Sequence, residues 1–176
     1  MGKWGKAGLA LLCFAGISGA TEGLWSVGFR AQGFYDFEPG QDWFLGPEIG
    51  YSNYSLANHR LQLKAAYLTS RLEQVFRENI LRQDYFLFSP VWHFGRNSFF
   101  DPTVQADLGY TRYDIESDIF KDLDNDSWIA SAQVGFALNL AQGEYGLFYH
   151  FGFNFITPES SMVYPGVFGL GLWMML

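Results

Sequence analysis

The sequence predicts an all-β protein, an eight-stranded antiparallel up-and-down transmembrane β-barrel, and three observations predict it. Apolar and polar residues alternate with period two in eight successive segments, the dyad repeat of strands that turn one face to lipid and the other to a polar interior. Hydrophobic residues make up 49% of the chain and aromatics 19%, yet no apolar run beyond residue 20 approaches the roughly 20 residues that a spanning helix needs. The chain also opens with the features of an export signal.

That opening has Lys3 and Lys6 as its positive region, Ala7 to Gly16 as an apolar stretch, and the small residues Ser18 and Ala20 at the −3 and −1 positions of a cleavage site. Residues 1–20 are therefore expected to be a signal peptide and 21–176 an outer-membrane β-barrel domain. The apolar stretch is too short to remain as a bilayer anchor. Cys13 follows the bulky Leu12 inside the apolar stretch, so it reads as part of the signal and not as a lipid attachment point. Loss of the signal removes the only cysteine and two lysines, which makes a chain of formal charge −7 more acidic still. No basic surface remains for nucleic acid, and no disulfide can hold the fold. A closed barrel needs none, because every backbone group pairs with a neighbouring strand.

Taken in order, the first segment sets Trp25, Val27, Phe29, Ala31, Gly33, Tyr35 and Phe37 against Ser26, Gly28, Arg30, Gln32, Phe34 and Asp36. The second opposes Leu45, Pro47, Ile49 and Tyr51 to Gly46, Glu48, Gly50 and Ser52; the third opposes Leu61, Leu63, Ala65 and Tyr67 to Gln62, Lys64, Ala66 and Leu68. In the fourth, Phe86, Phe88, Trp92 and Phe94 share a face against Tyr85, Leu87, Ser89 and His93. The fifth places Val104, Ala106, Leu108 and Tyr110 opposite Thr103, Gln105, Asp107, Gly109 and Thr111. The sixth runs from Trp128 to Leu138 with Ser131, Gln133, Gly135 and Asn139 facing the other way. The seventh carries Tyr145 to Phe155 against Gly146, Phe148, His150, Gly152 and Asn154, and the eighth Phe168 to Leu176 against Gly169, Gly171 and Trp173.

Turn lengths orient such a barrel. With both ends in the periplasm, short turns fall near 53–59, 95–98 and 141–144, and outer loops near 38–42, 71–83, 114–126 and 157–165. Trp25, Trp43, Tyr51, Trp92, Tyr110, Trp128 and Tyr145 lie near segment ends, where aromatic girdles meet lipid head groups. Pro47 and Pro90 lack the N–H that a closed ladder requires, so bulges or strands running past the membrane are expected there. A water-soluble barrel of lipocalin type is the structural alternative; it would bury the aromatic faces and leave Arg30, Glu48, Lys64 and Asp107 outside.

In this pattern the chain resembles the small eight-stranded bacterial outer-membrane barrels typified by the OmpA transmembrane domain and OmpX. The closing segment resembles the C-terminal assembly signal of such proteins, although it ends in Leu176 and not in an aromatic residue. The resemblance implies a monomer in the outer membrane of a Gram-negative bacterium, in contact with its lipids and lipopolysaccharide and holding no cofactor.

Candidate sites follow from the inward faces and the loops. Arg30, Glu48 and Lys64 project inward at mid-depth of three consecutive strands, and Lys64 counts opposite the Glu48–Gly50 region. They read either as a salt-bridged plug filling a narrow interior or as a charged constriction that selects ions. Asp107 counts opposite Gln133, an internal hydrogen-bonded pair. His150 counts opposite Gly135 as a structural histidine, and the inward Phe34, Leu87, Ile129 and Phe148 leave room for a small apolar pocket toward one end. Catalysis would need a base within hydrogen-bond reach of a nucleophile near the outer rim, and the sequence places none there. Arg71, Arg77 and Arg82 surround helically spaced Leu72, Val75, Phe76 and Ile80 in the second outer loop; they read as a surface-interaction site or as an extended hairpin. The acidic third loop, with Asp122, Asp124 and Asp126, reads as a solvated surface or as a weak bridge for divalent cations to lipopolysaccharide. The function expected is that of a non-enzymatic outer-membrane barrel serving envelope integrity or surface interaction through its loops, the alternative being a narrow pore for small solutes and, behind it, a lipid-modifying enzyme.

Overall fold

A computed structural model describes residues 24–35, 42–52, 57, 60–70, 81–95, 98–115, 126–141, 144–156 and 166–176 of the chain. Eight strands follow one another, β1 (Leu24–Tyr35), β2 (Asp42–Ser52), β3 (Leu61–Thr69), β4 (Leu81–His93), β5 (Phe100–Ile115), β6 (Asp126–Leu140), β7 (Tyr145–Ile156) and β8 (Gly166–Met175). Each pairs antiparallel with its sequence neighbours, and β8 returns to β1 from Ser26↔Met175 to Tyr35↔Gly166, closing the barrel. Closure leaves no edge strand, so the backbone is paired internally, as a bilayer demands.

The side-chain pattern is inverted relative to a soluble protein. Through the middle of the barrel the outward residues are apolar, and Phe86, Leu108, Val134, Phe151, Phe153 and Leu172 are all at least 48% exposed. The inward face holds buried Ser26, Arg30, Gln32, Glu48, Lys64, Ser89, Asp107 and Gln133. This disposes of the lipocalin-like alternative, because an exposed apolar belt of this size is stable only against lipid. Tilted or edge-on aromatic pairs mark both rims, Trp25 with Tyr51 at 4.6 Å at the short-turn end and Tyr110 with Trp128 at 5.6 Å at the loop end.

Two expectations about the strands need correction. The prolines do not sit in bulges: Pro47 faces Phe29 and Pro90 faces Leu63 with the ladder in unbroken register, and among the described residues the register shifts between Ala130 and Ser131 of β6. The β4–β5 pairing passes from Phe88↔Leu108 directly to Val91↔Gln105, so the missing proline N–H costs a local rung and not a shift. The strands also reach further than the alternation suggests, because β4 begins at Leu81 and β5 continues to Ile115, with Arg82 opposite Asp114. The expected signal peptide lies outside the described residues.

Candidate functional site

Arg30 enters from β1, and its two terminal nitrogens fork onto Asp107 of β5 on the far wall, Nη1 to Oδ1 at 3.3 Å and Nη2 to Oδ2 at 2.6 Å. Ser89 of β4 donates to the same carboxylate at 2.5 Å and Gln105 at 2.7 Å, Gln133 of β6 adds a short hydrogen bond, and Ser131 lies at 3.5 Å. A carboxylate with this many donors is fixed in place. A second pair lies beside the first: Lys64 of β3 donates to Glu48 of β2 at 2.7 Å, and Glu48 is also 3.8 Å from Arg30 Nη1. Lys64 Nζ stands 4.3 Å from the centre of the Phe148 ring of β7. All four expected lumen charges are thus brought into one layer, fully buried and balanced two against two.

Glycines on β8 make space for that layer. A Cβ at Gly171 would fall 2.5 Å from the edge of Phe148 and 2.3 Å from the Phe29 carbonyl oxygen, so no other residue fits there. Seven strands therefore contribute polar or aromatic groups to the layer, and the eighth contributes room. Opposite-strand reach of this kind is what an eight-stranded interior, just wide enough for side chains, permits.

Two further groupings flank the charges. Toward the loop end, Phe44, Ala66, Leu68, Tyr85, Leu87, Ile129 and Val167 form a buried apolar cluster drawn from five strands, with Phe44 and Tyr85 packed edge to face at 4.6 Å. Leu87 and Ile129 belong to it as the inward apolar residues of the sequence suggest; Phe148 does not, since it sits under Lys64. Toward the short-turn end, a chain of hydrogen bonds runs from Asp101 Oδ2 to His93 Nδ1 (2.7 Å), from His93 Nε2 to Gln62 Oε1 (3.2 Å) and from Gln62 Nε2 to Ser26 Oγ (3.0 Å), while Asp101 Oδ1 accepts the Gly95 N–H at 2.8 Å. It ties β1, β3, β4 and β5 together.

Several pairings escaped the sequence reading. Asp107 lies opposite Ser131, not Gln133, which is opposite Gln105; the register across a long loop is not fixed by the loop. Gln133 reaches Asp107 diagonally. His150 does lie opposite Gly135, and its Nε2 meets Thr103 Oγ1 at 2.9 Å, a contact legible only once β5 and β7 are placed on the two sides of β6. Both His150 and Thr103 are buried within the lumen. Arg71 and Arg77 lie outside the described residues; Arg82 belongs to β4, its backbone opposite Asp114. Of the acidic loop, Asp114 and Asp126 are strand residues and the remainder lies outside the described residues, among which no group of metal-ligating side chains occurs.

No family model matches the chain, and its sequence has no match among curated proteins. Its shape has clear relatives. Neisserial surface protein A matches with a TM-score of 0.55 at 13% identity, over 90% of this chain and 99% of that one. The outer membrane protein OprG from Pseudomonas aeruginosa matches at 0.57 and 14%, over 88% and 95%. Ail, the attachment invasion locus protein of Yersinia pestis, matches at 0.50 and 12%, over 88% and 97%. At such identity the likeness is one of fold, and it spans nearly the whole of each chain. With its closed ladder, its apolar belt and these neighbours, the chain is an eight-stranded barrel of the outer-membrane type.

Proposed function

We propose that this chain is a non-conducting, non-enzymatic barrel of a Gram-negative outer membrane, serving envelope integrity or surface interaction through its outer loops. The observation that carries this reading is the filled interior. A charge-balanced layer contributed by seven strands lies beside an apolar cluster drawn from five, and this filling supports a lumen closed to ions and to a lipid chain. With the lumen occupied by structure, the parts left to act are those that project from the membrane. The names of two fold neighbours, a surface protein and an attachment invasion locus protein, agree with a role at the cell surface.

Arg71 and Arg77 of the second outer loop, with Arg82 at the start of β4, supply the charge suited to lipopolysaccharide phosphates or an acidic surface partner. Cells lacking the chain are compared with cells carrying it and with cells carrying an Arg71→Gln, Arg77→Gln, Arg82→Gln triple variant. Uptake of a lipophilic dye reports envelope integrity, and retention on anionic glycan-coated surfaces reports interaction. The reading expects the deletion to change at least one of the two and the triple variant to weaken retention. Indistinguishable strains in both assays would remove it.

A further inference from the structure

Gly169 lies on the inner face of β8, directly opposite Gln32 of β1 and His150 of β7. Other inward glycines are packed shut. A Cβ at Gly28, Gly135, Gly152 or Gly171 would come within 2.5 Å of a backbone carbonyl oxygen. A Cβ at Gly169 would meet nothing nearer than Arg30 Nε at 3.5 Å, an ordinary van der Waals contact. The three residues around this opening each carry a buried polar atom with no hydrogen-bond partner among the described residues: Arg30 Nε, Gln32 Oε1 and His150 Nδ1. All three residues are at most 1% exposed.

Turning the Arg30 or His150 side chain cannot satisfy its unpartnered atom. Both terminal nitrogens of Arg30 are committed to Asp107, and the other ring nitrogen of His150 is committed to Thr103. Buried polar atoms without partners are rare in native proteins, and three such atoms on residues bordering one opening match the two to four partners of a buried solvent molecule. Their chemistry narrows the occupant. Arg30 Nε–H can only donate and Gln32 Oε1 can only accept, so the occupant must both accept and donate. A bare cation would face the guanidinium, and an anion would face the amide oxygen. A neutral hydroxyl meets both demands.

We propose that Gly169, Arg30, Gln32 and His150 form an enclosed niche for one small hydroxylic molecule, with water as its occupant in the cell. It accepts from Arg30 Nε–H, donates to Gln32 Oε1 and takes His150 Nδ1 as its third partner. The niche fixes the Nε–H direction of Arg30 and holds its fork on Asp107, so Gly169 is a positioning residue for the central charge layer. It needs no ligand from outside and stands whatever the loops bind.

The test uses the chain purified from membranes in detergent, isotopically labelled, with folding confirmed by mobility of the unboiled protein on gels. In the unaltered chain, the Arg30 Nε–H proton is expected to show nuclear Overhauser contact with a long-lived water. In Gly169→Ser the hydroxyl takes the place of that water: the contact disappears and the denaturant midpoint is kept. In Gly169→Ala the methyl crowds the niche without replacing the hydrogen bonds, and the folded-to-unfolded ratio falls about tenfold below that of Gly169→Ser. Absence of the water contact in the folded, unaltered chain overturns the proposal, independently of how either variant folds. So does an alanine variant at least as stable as the serine variant.

Discussion

The two halves of the lumen solve one packing problem in opposite ways. On the short-turn side of Gln32 the interior is filled by hydrogen bonds and ion pairs, Arg30 with Asp107 and Lys64 with Glu48. On the loop side it is filled by Phe44, Leu68, Tyr85, Leu87 and Ile129. The same eight-stranded ladder surrounds both, so the difference lies entirely in the inward side chains. It teaches that a barrel can fill its centre either by directional bonds or by apolar volume, and that the two are unequally sensitive to damage. An ion pair deprived of one member leaves a buried charge, whereas a trimmed apolar side chain leaves a cavity.

The largest expected effect follows from that asymmetry. Asp107→Leu strands Arg30 and removes the acceptor for Ser89, Gln105 and Gln133, and should cost about 3–5 kcal/mol in urea unfolding from lipid vesicles, read as the loss of the compact band of the unboiled protein. The double variant Arg30→Met, Asp107→Leu should recover most of that loss, since an apolar pair of similar volume replaces both charges. A double variant no better than the single one would show that the layer resists apolar replacement and would break the comparison. Leu68→Ala in the other half should cost about 2–5 kcal/mol through its cavity, with no second substitution among the charges able to compensate. Lys64→Met should be the mildest, about 1–3 kcal/mol, because Glu48 keeps Arg30 within 3.8 Å and Phe148 keeps an apolar neighbour. If Lys64→Met proves as damaging as Asp107→Leu, the layer is one indivisible network and not two joined pairs.

How much of this the sequence revealed depends on distance along the chain. Alternation identified all eight strands and the inward faces, because period two is a local property and lipid makes it strict. Lys64 opposite Gly50 and His150 opposite Gly135 were also legible, each pair joined by a short connection over which residues can be counted. Asp107 was placed two residues out of register, since ten residues and more separate β5 from β6 and impose no count. The fork from Arg30 to Asp107 spans 77 residues and the full width of the lumen. Such a contact depends on closure and strand stagger, which no local pattern encodes. The Asp101–His93–Gln62–Ser26 chain escaped for the same reason: each member is an ordinary polar residue until four strands bring them together.

The account rests on a lumen that is closed. The most direct test is single-channel recording from the chain purified from membranes and inserted in a planar bilayer, with the compact band of the unboiled protein proving that it is folded. The folded barrel is expected to be electrically silent, and substitution of Phe44, Tyr85 and Leu87 by alanine is expected to leave it silent while the charge layer stays intact. Reproducible ion-selective steps from the unaltered barrel, altered by Arg30→Gln or Glu48→Gln, would contradict the account and make the charge layer the selectivity site of a pore.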